Sequence, residues 1–218
     1  MNRSRSESAS DPLVVKIGGG LLTAHGLDGL RRACEEVERL SRSRPVLVVP
    51  GGGPFADAVR AADHGGQLGD ELAHRLALAA MDQLGTVLAY LLPAEAIATL
   101  RAPSRLGLLL VVPAFAGRRG VPESWHVTSD SLAVLAADAI GAREAILLKA
   151  VPGLMARWPS SDLPIDELSA ARLRELQMAD EARAVDAYLP TAIEQTGVSV
   201  HVRAPGLRPG AGTRITPS

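Results

Sequence analysis

"VVKIGGG", residues 14–20 of the chain, places one lysine near the end of an apolar run and follows it with three glycines. A continuous apolar run is typical of a strand that is buried on both faces of a parallel sheet. Glycines let the following backbone approach a ligand closely, and successive free N–H groups can bind an anion. The stretch therefore predicts a buried strand that ends at an anion-binding loop, with Lys16 at the ligand edge.

A second triple glycine stands in "VLVVPGGGPFADAVR" (residues 46–60), again directly after an apolar run. It leads into a predicted helix whose N-terminus adds partial positive charge, and Pro54 suits the first helical position. Two such loops on one sheet predict two phosphate-bearing or otherwise anionic groups that face each other; a pair of tight turns is the alternative. The spacing of Gly51, Gly53 and Ala56 also fits a loosened dinucleotide fingerprint, so a nicotinamide-dependent dehydrogenase stays open.

Working outward from these loops, apolar runs rich in β-branched residues alternate with helical patterns along the chain. This alternation predicts an α/β fold, a three-layer αβα sandwich with a mainly parallel central sheet, in which ligands bind beyond the carboxyl ends of the strands. The predicted strands are residues 13–17, 46–49, 108–112, 145–149, 198–202 and 213–215. The predicted helices are residues 27–41, 54–62, 70–91, 129–140, 165–176 and 181–196.

Composition limits the partners of the protein. The 218 residues carry a net charge of −1 and only 3% aromatic residues, which argues against a nucleic-acid partner. The longest apolar run, residues 106–117, is too short to span a bilayer. Residues 1–12 lack a secretory signal and are expected to form a disordered leader before one domain, residues 13–218, of a cytoplasmic protein. The apolar band of helix 70–91 is wide, which predicts either burial against a second copy in a homo-oligomer or a central core helix in a monomer.

Lysine is scarce in this chain. Of the 23 basic residues only Lys16 and Lys149 are lysines, and both lie at the end of an apolar strand before a glycine-containing turn. Because an ammonium is a compact point charge that fits beside one oxygen, two retained lysines predict a site that needs this shape. In "SWHVTSDSLAVLAA" (residues 124–137), Asp130 either stabilises the first turn of a helix capped by Thr128 and Ser129 or orients the two ammonium groups. The five histidines have no metal-ligand spacing.

Taken in order, "VVPGGGPFADAVR", "TSDSLA", "ILLKAVPGL" and "VSVHV…GTRI" resemble the amino acid kinase family from about residue 13 to the end. The resemblance implies ATP-dependent phosphoryl transfer to a small molecule, with ATP and Mg²⁺ as cofactors, and acceptor-binding and nucleotide-binding halves of about residues 13–140 and 141–218. Within the family, the sequence further resembles the methanofuran-pathway members, whose acceptor is a phosphomonoester. The family resemblance implies that Lys16 stabilises the transferring phosphoryl group and that Asp130 organises the cationic side chains. The implied nucleotide-binding residues are Gly18, Gly19, Gly20, Lys149, Ala150 and Gly153. The implied acceptor-binding residues are Gly51, Gly52, Gly53, Thr128 and Ser129.

Two departures from the family pattern concern catalysis. Residues 149–153, "KAVPG", lack two acidic residues that relatives commonly carry there, and no lysine follows Lys149, whereas many relatives have a second catalytic lysine further along. Either Lys149 supplies that charge or the site is weakened. A non-catalytic protein of the same fold that binds nucleotide or oxyanions is therefore a further alternative.

Overall fold

The computed structural model describes residues 11–155, 163–179, 184–208 and 210–218, so most of the expected leader lies outside the described residues. Within them the chain forms eight strands and seven helices. The strands are β1 (Leu13–Ile17), β2 (Val46–Pro50), β3 (Glu95–Ile97), β4 (Leu106–Leu109), β5 (Glu144–Leu148), β6 (Glu167–Ser169), β7 (Ser199–Arg203) and β8 (Thr213–Thr216). The helices are α1 (Gly20–Leu40), α2 (Gly53–Ala62), α3 (Asp70–Leu91), α4 (Val111–Phe115), α5 (Ser129–Ala139), α6 (Ala170–Met178) and α7 (Leu189–Thr196).

The strands form one mainly parallel sheet in the order β3-β4-β2-β1-β5-β7-β8-β6. Neighbouring strands are parallel except that β8 runs antiparallel to β7. β1 lies at the centre between β2 and β5, so the ends of three parallel strands meet where the first glycine loop begins. The predicted α/β fold with a mainly parallel sheet is confirmed.

Two apolar layers cover the sheet, because successive strand side chains point to opposite faces. Val14 and Leu147 belong to the layer beneath α5, α6 and α7, whereas Val15 and Leu148 belong to the layer beneath α1. Lys16 therefore shares the α5 face with Val14. Lys149 continues the row of Leu147 on that same face, since Lys16 is paired with Leu147 in the register of β1 and β5.

Four predicted elements differ from the structure, and β3 was not predicted. The helix predicted at 27–41 begins earlier as α1, so that Gly20, predicted in the glycine loop, is its first residue. The strand predicted at 108–112 ends at Leu109 as β4, and α4 begins at Val111 because the carboxylate of Asp82 accepts hydrogen bonds from the N–H groups of Val111 and Val112. The helix predicted at 165–176 contains β6 and starts only at Ala170. Part of the helix predicted at 181–196 lies outside the described residues, and α7 itself spans only Leu189–Thr196.

Helix α3 has the predicted bounds, and its wide apolar band packs into both apolar layers. Leu78 and Met81 pack into the α5-side layer, whereas Leu84 and Leu88 pack into the α1-side layer. Leu72, Leu76 and Tyr90 nevertheless remain exposed on its outer face. Among the described residues, none of the helices combines the length and apolar character needed to cross a membrane.

Candidate active site

Asp130 holds both lysines of the chain in one buried cluster. Lys16 Nζ lies 2.8 Å from Asp130 Oδ1, and Lys149 Nζ donates a hydrogen bond of 2.7 Å to Asp130 Oδ2. The side chains of Lys16 and Asp130 are almost fully buried, and that of Lys149 is 14% exposed. Within the described chain, Asp130 Oδ1 accepts no well-directed hydrogen bond. The Lys16 ammonium has three N–H donors and one ion-pair partner among the described residues, so it retains donors for a ligand.

Burial and neighbouring charges shift the pKa values of Lys16 and Asp130 in this cluster. The pKa of Lys16 is lowered to about 8, mainly by burial; Asp130 opposes this change, and the positive charge of Lys149 contributes to it. Burial raises the pKa of Asp130, but the two ammonium groups outweigh this effect and leave the pKa of the carboxyl below its usual range. Asp130 alone pairs with both ammonium groups, and the nearby Asp186 carboxylate also acts on Lys16 in the direction that raises its pKa.

Asp186 fixes the helix that carries Asp130. Its Oδ2 accepts hydrogen bonds from the backbone N–H of Thr128 (3.0 Å) and Ser131 (3.0 Å) and from the Thr128 hydroxyl (2.9 Å). The Ser131 hydroxyl donates to its Oδ1, and the backbone N–H of Asp186 donates to Asp130 Oδ2 at 3.2 Å. Burial raises the pKa of the Asp186 carboxyl, and Asp130 adds to the rise.

The prediction that the side chains of Thr128 and Ser129 cap α5 is therefore wrong. Thr128 occupies the N-cap position, but its side chain accepts no capping hydrogen bond. The cap comes instead from Asp186, which lies more than 50 residues away along the chain. Sequence analysis missed Asp186, because a single aspartate before an apolar helix carries no signal of such a contact.

The two glycine loops lie in direct backbone contact. A Cβ at Gly19 would lie 2.0 Å from Gly53 N, and one at Gly51 would lie 2.6 Å from Gly19 N. Gly53 also has a positive φ of 54°, which disfavours any side chain. Backbone packing alone therefore excludes a side chain at these positions, whether or not a ligand binds there.

Gly20 differs from its neighbours because no atom lies within 4 Å of the position that its Cβ would occupy. It borders two cavities of about 400 and 280 Å³, and Lys16, Lys149 and Ala184 border both as well. Gly20 is thus the glycine whose open side faces ligand space.

The smaller cavity is bordered by Gly18 and Ala150 in addition to the shared residues. The larger cavity is bordered by Gly19, Gly52, Gly53, Thr128, Ser129 and Asp130 from among the predicted site residues. Gly51 and Gly153 border neither cavity. A Cβ at Gly153 would lie 2.7 Å from the Thr213 hydroxyl oxygen, so this glycine packs against β8.

The outer part of the larger cavity has apolar walls that sequence analysis did not identify. One wall is the face of α3 that carries Ala77, Leu78 and Met81, and Val127 and Leu132 lie on another. Trp125 borders the same space; its Nε1 donates to Asp63 Oδ2 at 2.8 Å, and the Arg60 guanidinium lies 4.9 Å from the centre of its ring. The cavity is therefore bordered both by the lysine cluster with the glycine loops and by apolar side chains.

A model of the amino acid kinase family matches residues 11–203. The chain belongs to this family and is a small-molecule kinase, which sets aside the dehydrogenase alternative. It is 29% identical over 174 residues to the (5-(aminomethyl)furan-3-yl)methyl phosphate kinase of Methanocaldococcus jannaschii, covering 77% of this chain and 79% of that protein.

Two solved structures share the fold. The uridylate kinase of Archaeoglobus fulgidus superposes with a TM-score of 0.69 at 21% identity, over 94% of this chain and 99% of that one. The aspartate kinase of Synechocystis superposes with a TM-score of 0.68 at 17% identity, over 95% of this chain and 40% of that one.

Proposed function

We propose that the protein transfers the γ-phosphoryl group of ATP to a small phosphomonoester. The observation that carries this proposal is the meeting of two cavities at one cationic cluster: Lys16, Lys149 and Gly20 border both. Donor and acceptor in these two spaces would share the same ammonium groups. Positioning and charge neutralisation are what phosphoryl transfer requires most from a protein.

The smaller cavity is the proposed donor site. Gly18, Gly20 and Ala150 border it without bulky side chains, and Lys149 supplies a positive charge. The phosphates of ATP would lie against this backbone, with the γ-phosphoryl group next to Lys16. The bond between the γ-phosphorus and the bridging oxygen breaks as an acceptor oxygen bonds to phosphorus, and ADP leaves.

The larger cavity is the proposed acceptor site. Gly52 and Gly53 lie at the N-terminus of α2, where backbone N–H groups favour an anion, and Thr128 and Ser129 add polar atoms. An acceptor phosphate is already anionic at neutral pH and needs no general base. The name of the M. jannaschii relative and the apolar walls both favour an acceptor phosphate that carries a compact ring.

Lys149 is proposed to supply the charge of the lysine that is missing downstream. Its ammonium reaches the same carboxylate as Lys16, on the same face of the sheet. Mg²⁺ is the usual partner of ATP, but both oxygens of Asp130 face ammonium groups, and those of Asp186 accept N–H and hydroxyl donors. These carboxylates do not suit a protein-held metal, and no step proposed here depends on one.

The test is ATP turnover with a panel of acceptors. ADP release is measured with furfuryl phosphate and uridine monophosphate as phosphomonoesters and with aspartate and acetylglutamate as carboxylates, and phosphorus NMR identifies the product. We expect release that depends on a phosphomonoester and yields a diphosphate. Release that depends on a carboxylate, or ATP binding without release for any acceptor, would contradict transfer to a phosphomonoester.

A further inference from the structure

His74 is a buried polar side chain on an otherwise apolar wall of the acceptor cavity. It lies in the second turn of α3, is only 3% exposed, and borders the larger cavity. Ala77, Leu78 and Met81 border the same space at helical spacings of three, four and seven residues from it. The α3 wall thus presents one hydrogen-bonding group among apolar ones.

No hydrogen bond from or to the His74 side chain occurs within the described part of the chain. A neutral imidazole offers one hydrogen-bond donor and one acceptor, and a charged imidazole offers two donors. Because His74 borders the cavity, these groups can serve a ligand that enters it. A histidine held in this way at a cavity wall is explained if the ligand supplies the partner.

Two carboxylates near the apolar walls already have partners, which singles out His74 further. Asp57 borders the cavity, whereas Asp63 lies behind Trp125, which borders it. Asp57 Oδ1 accepts a hydrogen bond of 2.7 Å from Arg60, and both side chains are more than half exposed. Asp63 is bound by Trp125 and by the backbone N–H of Leu68. His74 is therefore the buried side chain on the apolar walls that is left to recognise a polar atom of the ligand.

We propose that His74 determines acceptor specificity by hydrogen bonding to a heteroatom on the body of the acceptor. The inference rests on the proposed function and extends it: the acceptor is a phosphomonoester whose compact ring carries one hydrogen-bonding atom. The phosphate lies at the glycine loops, the ring lies against Leu78 and Met81, and the heteroatom faces His74.

The test compares two phosphomonoesters of similar shape, furfuryl phosphate, which has a ring oxygen, and cyclopentylmethyl phosphate, which has none. Binding of each is measured by calorimetry without ATP on the wild type, His74→Leu and His74→Gln. We expect the wild type to bind furfuryl phosphate about 10- to 100-fold more tightly, since a hydrogen-bonding site rejects an analogue that leaves it unpaired. His74→Leu should abolish this preference, and His74→Gln should retain part of it.

Two controls separate recognition from folding. His64→Leu replaces an exposed histidine that does not border the cavity, and it should leave the preference unchanged. His74→Leu should keep the wild-type melting temperature, so that a lost preference reports recognition and not unfolding.

The outcomes also separate this inference from the kinase proposal. Equal affinity of the wild type for the two phosphomonoesters, or a preference that survives in His74→Leu, overturns the role of His74 even if ATP turnover is observed. A preference that is lost in His74→Leu supports the role even if the protein releases no ADP.

Discussion

Lys16→Met is expected to cost activity without costing stability. The fall of the Lys16 pKa from 10.5 to about 8 corresponds to about 3 kcal/mol against the charged form. Methionine keeps an apolar stem of similar length and removes this unfavourable charge. Asp130 keeps Lys149 at 2.7 Å, so no buried charge is left uncompensated. Loss of one preorganised charge partner lowers turnover by about 10²–10³-fold, or about 3–4 kcal/mol.

The assay measures turnover and melting temperature for Lys16→Met, Lys16→Arg, Lys149→Met and the double methionine variant. Lys16→Arg should also be poor, because a planar guanidinium cannot replace a point charge in this buried position. Each methionine variant alone should fold normally, whereas the double variant leaves Asp130 unpaired and should lose about 3–5 kcal/mol of stability. Adding Asp130→Asn to the double variant should recover the lost stability, because it removes the unpaired buried charge.

The turnover losses of the two single methionine variants should not add in the double variant, because one carboxylate positions both ammonium groups. Wild-type turnover in both Lys16→Met and Lys16→Arg would refute a catalytic role for the cluster. A large drop in melting temperature for Lys16→Met would show instead that this lysine is retained for folding.

Three further predictions concern other parts of the protein. Gly20→Ala should keep the melting temperature but raise the KM for ATP about tenfold or more, because only ligand space surrounds the new methyl group, whereas Gly19→Ala should destabilise the fold. The kcat/KM should fall as pH rises above about 8, where Lys16 of the unliganded protein loses its proton. The free energy of unfolding should rise between about pH 8 and 10.5, because in that range Lys16 holds its proton only in the unfolded state. The protein should be at least a dimer in light scattering, and Leu76→Glu on the exposed face of α3 should shift it toward monomer; a wild-type monomer at micromolar concentration would contradict this.

The central chemistry could be predicted from the sequence because it depends on strand ends. Lys16 and Lys149 end apolar runs, and parallel strands bring such ends to one edge of a sheet, where the first turn of α5 places Asp130. The rarity of lysine in an arginine-rich chain provided a second, independent signal. Residue type and strand position indicated the two lysines, whereas the role of Asp130 stayed open between helix capping and orienting the ammonium groups until the structure showed its contacts with both.

The remaining site residues depend on contacts that local sequence does not encode. Asp186 reaches the N-terminus of α5 from a distant segment, and His74 looked like one of five scattered histidines until α3 turned it toward the cavity. The sequence also could not separate glycines that face a ligand, such as Gly20, from those that face backbone, such as Gly19 and Gly51. The first residues of α4 were predicted as strand because the hydrogen bonds that they donate to Asp82 are tertiary contacts.

If the two proposed phosphate sites are correct, the backbone contact between the two glycine loops makes the distance between these sites depend on the main chain alone. Gly19 and Gly53 touch without intervening side chains, so neither loop can move away alone without opening a gap between them. A rigid compound with an anionic group at each end would therefore find the same distance between the two sites in every protein molecule. Once one end is bound, the other would face its site at an effective concentration of about millimolar order, which makes linked diphosphates natural lead inhibitors.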